Sequence, residues 1–229
     1  LAILFSWGKV GLVLMALVFG IVGMLIVYSM SRIGGRSALL MLVLSGVVSG
    51  AFFSACVSVL TYIADPYDQL PTIVFWLMGS LAAATYDHVW TLFIPVLVGG
   101  GVLIGLRWRI NVLSLGDEEA EALGIQVEQL RWVCLTAVGL IVAGVVAVSG
   151  VIGWVGLVAP HMARMLVGPD HRILLPSSFL LGGIYLTWMD NIARTATAAE
   201  IPLGVLTALI GAPMFFYLLR KTRARGWVD

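Results

Sequence analysis

Long apolar runs alternate with short polar connections from one end of the chain to the other. A membrane-crossing helix needs about 20 mostly apolar residues at about 1.5 Å rise each. By that measure the runs at 10–28, 39–63, 89–106, 132–151, 156–167, 173–193 and 202–219 predict seven spans. The run at 156–167 is short and carries Pro160, which removes a backbone donor and weakens a straight helix. It reads as a short or broken span packed inside protein, where freed backbone groups find partners. The stretch 71–84 is apolar but too short for a crossing, with Asp65, Pro66, Asp68 and Pro71 around its start and Asp87 beyond its end. It predicts a helix lying at the surface or re-entering partway. The expected fold class is all-α, a polytopic transmembrane helical bundle.

Basic residues sort the connections by side. Arg32 and Arg36 follow the first run, Arg107, Arg109 and Arg131 surround the third connection, Arg164 and Arg172 follow the fifth run, and Arg220, Lys221, Arg223 and Arg225 follow the seventh. If seven spans alternate, all of these share one face, and only Lys9 and Arg194 lie on the other. Positive charge is retained on the cytoplasmic side, which predicts a cytoplasmic C-terminus. The opposite connections carry Asp65, Asp68, Asp87 and Glu200.

Composition narrows the class. Of 229 residues, 61% are hydrophobic and 11% charged, against about 45–50% and about 25% in a soluble domain. Such a chain cannot cover itself with polar surface, which excludes a soluble enzyme, and its hydrophobicity excludes disorder. A net charge of +1 gives no basis for a nucleic-acid partner. Cys56 and Cys134 lie in apolar runs and suggest neither a disulfide framework nor a metal site. The sequence starts at Leu1, inside an apolar stretch, as expected of a piece of a longer protein. Its 26 glycines exceed the usual share of about 7%. Gly46 with Gly50, and Gly150, Gly153 and Gly156 at the turn between the fourth and fifth spans, predict close helix packing.

Few segments carry candidate chemistry. The longest polar stretch, 111–131, lies on the cytoplasmic side. Ser114 with Asp117 fits a capping-box-like start and Gly124 a helix stop, predicting a helix of about two turns between them. Leu115, Ala120 and Leu123 are its apolar residues, and Asp117, Glu118, Glu119 and Glu121 its acidic ones. A solvated loop and a knob that docks into a cytosolic partner both fit this pattern. Arg194, at the outer end of the sixth span, either pairs with Asp190 one turn away or meets an acidic patch on an external protein. Asp190 lies toward the membrane, where it caps a helix, pairs with Arg194 or relays protons. His161, after Pro160, reads as a hydrogen-bonded packing residue. No His, Cys or acidic set stands at ligand spacing, so no metal is expected. The phosphate-cradling Gly-x-x-x-x-Gly-Lys-Ser/Thr pattern is missing, so any ATP is hydrolysed by another chain and no cofactor is expected here.

Several long motifs in order point to one family. They are Phe75-Trp-Leu-Met-Gly-Ser80, Leu113-Ser-Leu-Gly-Asp-Glu118 with Ala122-Leu-Gly124, and the run from Gly150 to Arg164 through Val-Ala-Pro160-His161. Asp170-His-Arg172, Leu174-Leu-Pro176, Asp190-Asn-Ile-Ala-Arg-Thr195 and the run from Glu200 to Pro213 complete the set. The chain resembles the permease subunit of type II ABC importers, which take up iron-siderophore complexes, haem, vitamin B12 and, in some members, molybdate. The resemblance implies ten spans per subunit, of which seven are present, in a single permease domain over residues 1–229. It implies pairing with a second permease copy or a homologous permease, two cytosolic ABC ATPase subunits, an external or periplasmic substrate-binding protein, and a prokaryotic plasma membrane. Leu115, Gly116, Asp117, Glu118, Glu119, Ala120, Leu123 and Gly124, within the 111–131 region, would be the coupling helix fitting the ATPase groove, and Arg194 the binding-protein contact. The helix at 71–84 would stand near the pathway entrance. Gly34 and Gly35, in the turn after the first span, with Gly150, Gly153, Gly156, Pro160, His161 and Asp190, are the pathway or gating candidates. Siderophore iron is the first cargo expected, with haem, cobalamin and molybdate open. The rival class is an ion-coupled secondary transporter, which needs paired intramembrane acids.

Overall fold

The computed structural model describes residues 1–33, 36–37, 39–197 and 200–223. These form nine helices: α1 (Gly8–Ser31), α2 (Leu39–Ile63), α3 (Gln69–Met78), α4 (Tyr86–Leu113), α5 (Asp117–Ala122), α6 (Val127–Ser149), α7 (Val155–Val167), α8 (His171–Thr195) and α9 (Leu203–Arg223). Among the described residues, α1, α2, α4, α6 and α8 are long and apolar enough to cross a bilayer. The expected span at 156–167 is α7, with only 13 residues and Pro160 inside it. At about 1.5 Å per residue it reaches about 20 Å, short of a core about 30 Å thick. The expected span at 202–219 is α9, whose apolar part is Leu203–Leu218. The short helix expected at 71–84 is α3, and it ends at Met78 because Gly79 turns to φ +69. Between α1 and α2, a two-residue antiparallel pair, β1 (Arg32–Ile33) with β2 (Arg36–Ser37), turns the chain. Gly34 and Gly35, the gate candidates of that turn, lie outside the described residues.

The chain divides into two compact units. Unit 1 comprises Leu1–Phe75, Thr85–Leu103 and Val112–Val148; unit 2 comprises Trp76–Ala84, Ile104–Asn111 and Ser149–Asp229.

Unit 1 is held by helices that approach through small residues. A Cβ built on Gly20 of α1 would stand 2.6 Å from the Ala143 methyl of α6, and one on Gly99 of α4 would stand 2.8 Å from the Ala137 carbonyl oxygen. Lipid tails offer helices no hydrophobic reason to associate, so close backbone approach and dispersion supply the attraction. The Gly46 and Gly50 pair does not take part: nothing among the described residues comes within 4 Å of a Cβ at either. The buried stripe of α2 runs instead through Ser45 and Ser49, and the Ser49 hydroxyl donates to the Met30 sulfur at 3.8 Å. The next position along a helix points about 100° away, so glycines adjacent to a buried stripe face outward.

Unit 2 packs α7, α8 and α9 around Val158, Tyr185, Met189, Ala193, Leu203 and Leu206. Beside that core, three stretches of backbone meet at Gly79, Gly150 and Gly204. The Val151 carbonyl oxygen would lie 2.6 Å from a Cβ on Gly79 and 2.8 Å from one on Gly204. Ser80 N–H donates to the Ser149 carbonyl at 2.9 Å, and Leu203 N–H to the Gly79 carbonyl at 2.9 Å. These bonds satisfy the polar groups left over where α3 and α6 end and α9 begins. The three glycines expected to act alike therefore separate. Gly150 sits at φ +68 in this junction, whereas nothing among the described residues comes within 4 Å of a Cβ on Gly153 or Gly156.

This contrast is testable. Gly204→Ala drives a methyl into the Met78 and Val151 carbonyls, an overpacking cost of about 1–3 kcal/mol, and should lower the melting temperature in detergent by about 3–10 °C. Gly153→Ala should stay within about 0.5 kcal/mol of the parent. Equal melting temperatures for the two variants would contradict the junction's role.

Candidate functional site: an acidic elbow and an exposed arginine

The elbow belongs to unit 1. After α4 the chain tightens, with Leu115 N–H donating to the Val112 carbonyl at 3.0 Å and Gly116 N–H to the Leu113 carbonyl at 3.3 Å. The helix start falls at Gly116, with φ 131, and not at Ser114 as the capping-box pattern suggested. Gly116 can take that dihedral without steric cost. Asp117, Glu118 and Glu119 then fill the first turn, where negative charge complements the helix dipole. Gly124, at φ +79, ends α5 as expected. Gly124 N–H donates to the Glu121 carbonyl at 2.9 Å and Ile125 N–H to the Ala120 carbonyl at 3.0 Å. This is the paired closure of a Schellman motif, sealed by the buried Ala120 and Ile125.

That closure divides the expected contact residues by role. Ala120 is 0% exposed, so it anchors the elbow to its own chain and offers no surface. Leu115 and Leu123 are 64% and 62% exposed and, with Glu118, Glu119 and Glu121, form the surface presented outward. Arg131 on α6 braces the elbow, its Nη2 donating to Asp117 Oδ1 at 2.7 Å.

The first turn of α6 also holds a cluster that sequence reasoning missed. Glu128 Oε1 accepts from the Tyr28 hydroxyl and lies 3.4 Å from Arg32 Nε. The Arg32 guanidinium stands 5.8 Å above the Tyr28 ring, which packs on Trp132 at 4.6 Å between centroids. A separation of 100 residues between Tyr28 and Glu128 leaves no local signal in the chain. A groove of about 440 Å³ runs along Val22, Leu25 and Ile26 of α1 to Arg32 and Trp132.

Arg194 belongs to unit 2. Arg194 Nε donates to Asp190 Oδ2 at 2.8 Å, one turn back on α8. Its Nη2 donates to the Leu81 carbonyl at 3.1 Å, and its Nη1 stands 3.9 Å from Glu200 Oε1. The intrachain pair anticipated between Arg194 and Asp190 is present, and two further contacts tie the arginine to neighbouring loops. It remains 40% exposed. Elsewhere in unit 2, His161 lies 5.7 Å from the Phe215 ring. His171 N–H donates to Asn111 Oδ1 at 3.1 Å, where the Asp170 side chain caps α8. Among the described residues, no group of three or more His, Cys, Asp or Glu could hold a metal ion.

Comparison with known proteins fits this arrangement to a family. The sequence profile of the FecCD transport family matches residues 1–221. The chain belongs to the FecCD transport family. This FecCD chain is 45% identical over 226 residues to the molybdate import system permease protein MolB of Haemophilus influenzae, covering 99% of this chain and 67% of that one. It is 43% identical over 203 residues to a probable iron chelatin transport system permease protein of Helicobacter pylori, covering 89% and 62%. The hemin transport system permease protein HmuU of Yersinia pestis is 42% identical over 202 residues, covering 86% and 59%. The chain thus spans about three fifths to two thirds of the length of these relatives. A solved structure described as an inward-facing conformation of a metal-chelate type ABC transporter superposes with a TM-score of 0.90 at 45% identity, over 96% of this chain and 70% of that one. The transmembrane helical bundle read from the apolar runs and the kinship with ABC permeases read from the motifs both hold.

The brace on the elbow yields a prediction. Asp117→Asn should raise amide hydrogen exchange across residues 117–125 about two- to fivefold, the scale of a partly exposed ion pair. Glu118→Gln, which no ion pair among the described residues holds to α6, should leave it unchanged.

Proposed function

We propose that this chain, paired with a second permease copy or a homologous permease, forms the translocation pathway of an ATP-driven type II importer in the prokaryotic plasma membrane. The observation that carries this reading is the elbow of a FecCD-family chain. Two exposed leucines flank, and three exposed carboxylates stand on, a short helix whose ends and buried alanine lock it to its own chain. Such a knob transmits force without deforming. A cytosolic ATPase gripping it would move the adjoining helices and open the pathway to each side in turn. ATP is bound and hydrolysed on that partner, and the two units act as one transmembrane domain with the C-terminus inside. An external substrate-binding protein docks beside Arg194, whose charge, though paired within the chain, stays 40% exposed.

The match to MolB over 99% of the chain supports molybdate as the cargo. The iron chelatin and hemin relatives support the second reading, an iron chelate of the siderophore kind. Gly34, Gly35, Gly153, Gly156, Pro160 and His161 remain the candidate pathway or gate positions, and Gly150 serves the backbone junction. Asp190 is engaged by Arg194, which argues against a proton-relay acid and so against an ion-coupled carrier.

The test is uptake into proteoliposomes that hold the permease, its ATPase and its binding protein. Radiolabelled molybdate should enter only with ATP. Entry of a ferric siderophore in its place would select the second cargo, and uptake without ATP would overturn the reading. Replacing Glu118 and Glu119 together by Lys should cut uptake about tenfold at unchanged protein level. Arg194→Glu should weaken binding-protein docking about tenfold at low salt and less at high salt, because exposed charge pairs are screened.

A further inference from the structure

The first turn of α6 is attached in two directions. Arg131 holds Asp117 at the head of α5 at 2.7 Å. Three residues earlier, Glu128 holds the last turn of α1 through the Tyr28 hydroxyl and continues to Arg32 at 3.4 Å. Residues three apart are neighbours on a helix surface, so one turn of α6 bridges the elbow and α1. Arg32 opens β1, and the bridge therefore ends on the strand pair that leads the chain from α1 into α2.

We infer that Glu128 is a positioning residue that carries displacement of the α5 elbow, through the first turn of α6, to the end of α1 at Tyr28 and Arg32. The inference rests on the proposed role of α5 as the ATPase-facing element.

Three observations support transmission through this link. The connection between α5 and α6 is short and lined by Ala120, Ile125, Val127 and Leu130, which are 0%, 8%, 5% and 5% exposed. A push on α5 therefore takes the head of α6 with it. Tyr28 is 3% exposed, and its ring lies on Trp132, one turn beyond Glu128, so α1 is gripped by a ring contact and a charge-assisted hydrogen bond on the same α6 face. Tyr28, Arg32 and Trp132 also line the groove beside α1 together, so the cluster forms one continuous surface at the end of that helix.

The experiment uses the assembled importer in proteoliposomes, with radiolabelled molybdate and a ferric siderophore as probes. It reads uptake, ATP hydrolysed per cargo and the amount of assembled complex. Glu128→Gln should assemble and hydrolyse ATP, yet lower uptake about tenfold, raising ATP per cargo by the same factor. The exchange of Arg32→Glu with Glu128→Arg should bring uptake back to within about threefold of the parent. Wild-type coupling in Glu128→Gln, or equal losses of uptake and hydrolysis without rescue by the exchange, would overturn the relay and leave the importer reading intact. Should Glu128→Gln not assemble, Tyr28→Phe serves instead: ATP per cargo should rise about threefold, and an unchanged ratio overturns the inference. If the parent protein takes up neither probe with ATP, the importer reading falls and the relay with it.

Discussion

Inside a bilayer no water is available to satisfy an unpaired backbone group, and lipid gives two helices no hydrophobic reason to touch. Helix ends must therefore be closed by other backbone, and helix faces must meet closely enough for dispersion to act. In unit 2, the ends of α3 and α6 and the start of α9 are knit by main-chain hydrogen bonds across glycines too close to their neighbours to bear a Cβ. In unit 1, α1 and α4 approach α6 where Gly20 and Gly99 present no side chain. At these positions glycine is required because contact distance decides whether helices associate.

The same constraint governs the charges. A charged side chain at the membrane is costly unless paired or able to reach the interface. The described ion pairs lie at helix ends or in the polar elbow: Arg131 with Asp117, Arg32 with Glu128, and Arg194 with Asp190 and Glu200. Each fixes a helix end in position.

The elbow shows how a short helix is held rigid. Six residues are too few for a helix to be stable by itself. Its rigidity comes from the glycines at both ends, the Schellman closure, the buried Ala120 and the brace from Arg131. With those in place, Leu115 and Leu123 stay exposed because the chain has already satisfied its own packing through Ala120 and Ile125.

Much of this was legible along the chain. Apolar runs located the helices, α2 to the residue, because span length and apolarity are local properties imposed by bilayer thickness. Gly124 marked the end of α5, and the motifs marked the family, since both are read over neighbouring positions. Tertiary structure alone decided that Gly150 is packed while Gly153 is open, that Ser49 and not Gly50 is the buried side of α2, and that Ala120 is hidden. It alone brought Glu128 to Tyr28 and Arg194 to the Leu81 carbonyl. Those outcomes depend on which helix face meets which neighbour. An apolar helix that is hydrophobic all round carries no periodic signal to say which face that is.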